Sequence, residues 1–317
     1  MQYLQSLWMV VAAIFFAVYA VCVKYAGMEG IGSFEVLFYR SIFGLVVFYS
    51  LMRYRHMTIH TKHPIDHALR SVVGVGAVIA GIFSISHLNV GLAMTLNYTS
   101  PLFVGCFTIG IAVMHHRGIN WKLLSTLVLG FAGVVVMLSP TITPDEYLPA
   151  SVGLAAGFCT AVAVTYVKRL SILHEPEMRI LFYFMLAGTV GGLTGTLLTG
   201  GFTMPNQAAL VSILGFMLCA TFAQFTLTRA FSRGNLVLSG ALQYTVVLFS
   251  TILGEIVFGE PATFAIVCGM VLIVVAGISA SYFTRQENQL AHSVKKATTP
   301  GHAEAHQRHM DAREAGK

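Results

Sequence analysis

Charge is what this chain has least of. Asp, Glu, Lys and Arg together make up 10% of its 317 residues, against 56% hydrophobic. A soluble domain of this length carries about a quarter charged residues, so an ordinary soluble fold is excluded. Paired cysteines are missing as well. The five cysteines (Cys22, Cys106, Cys159, Cys219, Cys268) sit singly inside apolar runs, without the spacing of a disulfide framework or a metal site. They read as small hydrophobes in helix packing. No nucleotide-binding Gly-rich Lys motif occurs, so energy from nucleotide hydrolysis is not expected. No His-x-x-x-His or paired Asp falls within an apolar run, which removes the usual machinery of an intramembrane enzyme. The first run follows Met1-Gln-Tyr without a basic n-region or a small-residue cleavage site, and reads as a retained helix.

What is present is a series of apolar runs extending to about residue 284. Backbone groups in a bilayer must be satisfied within the segment, so these runs are helices; no barrel-like alternation occurs. Ten spans are expected, at about 4–23, 34–52, 70–87, 93–113, 122–138, 150–168, 178–198, 208–229, 236–257 and 263–284. With ten spans the basic residues fall on one side, from Arg53, Arg55, Lys62 and Arg70 through Lys168, Arg169 and Arg179 to Arg285. The other side holds Lys24. This asymmetry places both termini in the cytoplasm and accounts for the formal charge of +6 without nucleic acid as a partner. The tail 285–317 is polar and His-rich and is expected to be disordered. Its histidines, and those of the 53–70 loop, are too irregularly spaced for a metal site.

The two halves repeat. Asn97-Tyr98-Thr99 in AMTLNYTSPLF answers Gln243-Tyr244-Thr245 in SGALQYTVVLF; Asn89 answers Asn235, and Val23-Lys24 answers Val167-Lys168. Five helices per copy is an odd number, so the second copy enters the membrane from the opposite side. The expected organisation is a five-helix repeat at 1–139, an external linker at 140–149, a second repeat at 150–284 and the tail at 285–317. Inverted repeats are a common plan of secondary transporters, with the substrate site near the midplane between the halves.

The run GALQYTVVLFSTILGEIVFGEP, followed by FAIVCGMVLIVVAGISAS with Gly269 and Gly277 eight apart, resembles the EamA family of the drug/metabolite transporter superfamily. Arg40 in the second span fits the same pattern. The resemblance covers roughly residues 1–284. It implies a ten-helix carrier of the bacterial inner membrane, often an exporter of amino acids, other metabolites or toxic compounds, with a cavity between the repeats. The first repeat departs from the family, since His115-His116-Arg117 stands where the second has its Gly-Glu turn.

Candidate site residues follow from polarity inside the spans. Asn97, Tyr98, Gln243 and Tyr244 are costly in lipid unless paired or hydrated, so they mark helix contacts or a cavity lining. Pro101, the only one of nine prolines well inside a span, frees a carbonyl near Asn97 and can kink the helix. Tyr19, Tyr166 and Gln224 can complete the lining. Arg40 and Glu255 are charges within spans, each roughly 9 Å from the outer end at 1.5 Å per residue. They are expected to pair near the outer mouth, or Glu255 to couple protons. His87, at the outer end of the third span, has a pKa suited to a proton relay.

The reading is a secondary transporter working by alternating access, one five-helix half rocking against the other, with no cofactor or metal. Its partners are a small-molecule substrate and membrane lipid, as a monomer or homodimer. The scarcity of buried charge points to amphipathic rather than strongly ionic cargo. A lipid-handling flippase or a non-transporting scaffold on the same fold is the alternative.

Overall fold

The computed structural model describes residues 5–114, 120–138, 143–233, 239 and 242–297. They are helical throughout, and no strand occurs among them. The helices are α1 (Trp8–Met28), α2 (Ser33–Tyr54), α3 (Pro64–His87), α4 (Val90–Asn97), α5 (Ser100–Met114), α6 (Trp121–Leu138), α7 (Tyr147–Ile172), α8 (Glu177–Leu198), α9 (Gln207–Arg233), α10 (Thr245–Phe258) and α11 (Phe264–Ala297). Seven segments are long and apolar enough to cross a membrane, α4 and α5 together making one; shorter apolar helices at Trp121–Val136, Thr245–Phe258 and Phe264–Ala280 bring the total to ten. The chain is an integral, multi-pass, all-α membrane protein built as two five-helix repeats.

Local chemistry sets the helix ends. Glu35 accepts from the Gly32 N–H at the start of α2, and Asn206 Oδ1 accepts from the Ala209 N–H at 2.7 Å at the start of α9. Helix α3 begins at Pro64, with its fixed φ in the first turn, six residues earlier than the apolar pattern indicates. At the other end of the chain α11 runs on to Ala297, so residues 285–297 are helix rather than disordered tail. That stretch is polar but contains neither Gly nor Pro to stop it. Residues 298–317 lie outside the described ones.

The most extensive packing is between repeats. Helix α1 packs on α9 and its counterpart α7 on α3; α2 packs on α8, and α6 on α11. The lesser pairs obey the same two-fold relation: α1 with α10 and α7 with α4, α2 with α9 and α8 with α3. The halves therefore interlock, each with its most extensive contacts on the other. Glycines allow the closest crossing. At Gly192 of α8 an added Cβ would lie 2.5 Å from the Phe38 backbone nitrogen of α2, and at Gly195 it would overlap the Phe34 ring.

Candidate functional site

The repeated Tyr-Thr pair marks a break in the fourth and ninth spans. Helix α4 ends at Asn97, and α5 starts at Ser100; the turn between them is Tyr98-Thr99. The second repeat also turns at Tyr244, directly before α10. Pro101 cannot donate to the Asn97 carbonyl, yet the second repeat breaks at the same place with Val247 in the proline's position. What the two share is the threonine. Thr99 Oγ1 donates to Leu96 O at 2.7 Å, and Thr245 Oγ1 donates to Leu242 O at 2.6 Å. At the first break the Thr99 N–H also bonds Leu96 O, at 3.2 Å, so the hydroxyl adds a second bond to the same carbonyl.

Beside the first break lies a buried polar group. Arg40, 4% exposed, donates from Nη1 to the Tyr19 hydroxyl at 3.0 Å and lies over the Tyr19 ring. Tyr98 is buried close enough to Tyr19 for the two phenols to interact electrostatically. Arg70, 6% exposed, stacks on the Phe184 ring at 3.8 Å and is near enough to Arg40 for the two charges to repel. Sequence reasoning missed Arg70, assigning it to the loop before the third span. The helix-start signature Pro64-Ile-Asp66 would have placed it roughly 9 Å inside, at 1.5 Å per residue. The interior thus holds two guanidinium groups where one was expected, and scarcity of buried charge no longer speaks against ionic cargo.

The other expected residues are more dispersed. Asn97 is half-buried and directs its amide at Gly81 of α3, where an added Cβ would lie 2.7 Å away. Tyr244 is buried, but its hydroxyl is pressed against Gly277 of α11 rather than against Tyr98 and Tyr19. The two tyrosines of the repeat therefore have different neighbours. Gln243 is buried; Gln224, Tyr166 and Pro101 are half-buried. Glu255 is exposed on α10 and makes no ion pair with Arg40, whose bond is to Tyr19. Helical spacing explains this: Gly254 next to it faces inward against Glu260, which turns Glu255 out. His87 is exposed, with Nδ1 2.8 Å from its own helix's Phe83 carbonyl.

Both ends of the bundle are clasped by side chains the sequence reading did not pair. At one end Lys24 and Glu260 form an ion pair, Lys24 Nζ also donates to Leu88 O at 2.7 Å, and Glu260 Oε2 accepts the Val90 N–H at 2.8 Å. The carboxylate so placed caps the N-terminus of α4. It is held there by the Gly-Glu-Pro turn, with Gly259 at φ +65° closing α10 in the left-handed conformation. The first-repeat counterpart, His115–Arg117, lies outside the described residues. Nearby, Glu35 accepts from Thr203 Oγ1 at 2.7 Å and Asn206 donates to Glu29 at 2.6 Å.

At the opposite end Thr61 Oγ1 donates to Glu175 at 2.7 Å, Arg179 Nη1 donates to the same carboxylate at 2.7 Å, and His67 Nε2 is 3.5 Å from it. Arg179 Nε and the Tyr183 hydroxyl reach the carbonyls of Thr58 and Ile59. Burial pushes the Glu175 carboxyl up, but the Thr61 and Arg179 hydrogen bonds and the Arg179 charge outweigh it and hold the group below its ordinary value. A threonine of an interhelical loop in one repeat thus grips a glutamate of the other, once at each end.

Residues 4–139 and 148–282 match the EamA-like transporter family. The chain belongs to that family. Among similar proteins, the pseudopaline exporter of Pseudomonas aeruginosa is 26% identical over 276 residues, covering 86% of this chain and 94% of the relative. The S-adenosylmethionine uptake transporter of Rickettsia prowazekii is 23% identical, covering 90% and 95%. The riboflavin transporter of Rhizobium johnstonii is 24% identical, covering 73% and 75%. A protein known from a crystal structure shares the fold at a TM-score of 0.65 and 16% identity, with 90% of this chain and all of that one covered. In this EamA-like chain the Gly-Glu-Pro turn serves a structural purpose, since its Glu260 joins the tenth span's entry to α1 and α4.

Proposed function

We propose that this EamA-like protein is a secondary transporter that exports small amphipathic metabolites, such as amino acids, related compounds or toxic compounds, across a bacterial inner membrane, with both termini in the cytoplasm. One observation carries the reading: a buried group of phenols and guanidinium beside a helix break, with a polar clasp at each end of the bundle. A carrier needs such an interior and two closures that open in turn.

The helix pairing supports a particular motion. The moving bodies are mixed: α1, α9 and α10 as one, α3, α4 and α7 as the other, since α1 packs most closely on α9 and α10, and α7 on α3 and α4, across the two repeats. The breaks at Tyr98 and Tyr244 provide hinges, because the helical ladder lapses there: the Thr99 N–H bonds Leu96 O, three residues back rather than four. Asn97, Tyr98, Tyr19 and Arg40 contact the substrate in this reading; Gln243, Tyr244, Gln224 and Tyr166 line its path.

The test compares intracellular and medium metabolites of cells with and without overexpression. Compounds that move from cells to medium only when the protein is present are expected. Accumulation inside the cells would reverse the direction. Purified protein in liposomes that moves a labelled lipid and no water-soluble metabolite would replace the reading with a flippase.

A further inference from the structure

We infer that the cargo of this transporter is a small organic anion, whose carboxylate or phosphate oxygens bind between Arg40 and Arg70. The inference rests on the transporter reading and names the substrate class of its central site. Its basis is a charge inventory of the interior.

Arg70 is 6% exposed, and neither Nε nor Nη1 has a hydrogen-bond partner. Arg40 is 4% exposed and has the Tyr19 hydroxyl, a neutral group, as its acceptor. No carboxylate among the described residues forms an ion pair with either guanidinium. Glu260 is held by Lys24, Glu175 by Arg179, Asp66 by Arg169, and Glu35 by Thr203. The interior therefore carries two positive charges that nothing described neutralises. They also repel each other.

Leaving a charge buried without a partner costs several kcal/mol, which a fold tolerates only where the charge has another use. Arginine stays protonated at any physiological pH, so the tension cannot be relieved by losing a proton. An anionic substrate relieves it. The Phe184 ring covers one face of the Arg70 guanidinium, and its Nε and Nη1 are buried without a protein acceptor, a deficit that the oxygens of a carboxylate or phosphate would fill. The phenols of Tyr19 and Tyr98 flank the Arg40 side, where an apolar or hydroxylated body can lie.

Replacing an unpartnered buried charge by an apolar side chain of similar shape removes its desolvation cost.

The test uses full-length protein in detergent and its Tm. The added probes are succinate, glutarate and phenylacetate in one arm, phenyl phosphate in a second, and the matching neutral amides in a third, all at equal ionic strength in chloride. Expected is a rise in Tm of several degrees with at least one anion and none with its amide; the arm that responds tells carboxylate from phosphate. Arg70→Met and Arg40→Met should abolish that rise, while Arg70→Met without probe melts a few degrees higher than the native protein. No anion acting beyond chloride, amides acting equally, or Arg70→Met keeping the response would overturn the inference. Metabolite export is measured separately on the same variants. Export of neutral compounds unaffected by Arg70→Met leaves the transporter and removes the anion. Anion stabilisation with no exported compound does the reverse.

Discussion

Glu175 sits in a turn between α7 and α8 with a side chain 5% exposed, and it stays ionised because Thr61 and Arg179 bind its anion. A carboxyl whose folded pKa is depressed adds stability that is fully present above the unfolded value, near 4.5, and is lost as pH falls through the folded value. The native protein is therefore expected to lose Tm as pH falls below about 4.5, and Glu175→Gln to lose less over that window while melting lower at pH 7. Equal slopes for the two proteins would mean the clasp contributes nothing. His174, next to Glu175, has φ +59° and occupies the left-handed position after α7 that glycine fills most easily. His174→Gly should raise stability by about 0.5–1 kcal/mol, read as an increase in Tm. Neither residue stands out in the sequence. A single Glu-Pro beside a histidine is an ordinary loop until the 53–63 segment is folded against it.

Helices were the most legible part of this chain, because a bilayer admits few other solutions and apolar length alone locates them. Their boundaries followed less well. Proline at the start of α3 and the lack of any breaker after residue 284 determined the ends, and hydropathy registers neither. Glycine shows the same limit at closer range. Gly76 and Gly192 both interrupt apolar helices, but an added Cβ at Gly76 meets nothing within 4 Å, whereas at Gly192 it meets the Phe38 backbone. Gly76→Ala is expected to be neutral or to stabilise by up to about 1 kcal/mol, as alanine has the better helix propensity. Gly192→Ala must push α8 from α2, costing about 1–3 kcal/mol. Urea or thermal melts in detergent should show Gly192→Ala destabilised and Gly76→Ala not; a matching response would show that the α2–α8 crossing is looser than these distances imply.

The motion follows from how the repeats interlock. Cys22 Sγ of α1 lies against Gly215 of α9, 2.8 Å from an added Cβ and one turn from Cys219; if α1, α9 and α10 move together, a short thiol-reactive bridge from Cys22 to Cys219 ties α1 to α9 inside one body, and export should persist. Gly27 of α1 lies against Ser86 of α3, an added Cβ being 3.1 Å from its hydroxyl. The pair belongs to different bodies, so a disulfide in Gly27→Cys/Ser86→Cys should stop export, and reduction should restore it. Export blocked by the first bridge, or untouched by the second, would assign the moving bodies differently.

Sequence by itself decided the membrane, the ten helices, the duplication and the family, since each of these depends on apolar length or on residues compared along the chain. The repeated Asn-Tyr-Thr and Gln-Tyr-Thr marked the duplication, while leaving hidden that each sits where its span turns between two helices. Tertiary structure decided the long-range partnerships of charge: Lys24 with Glu260, Asp66 with Arg169, and the want of one for Arg70. Those depend on which helices of opposite repeats meet, and distance across a bilayer bundle bears no relation to distance along its chain.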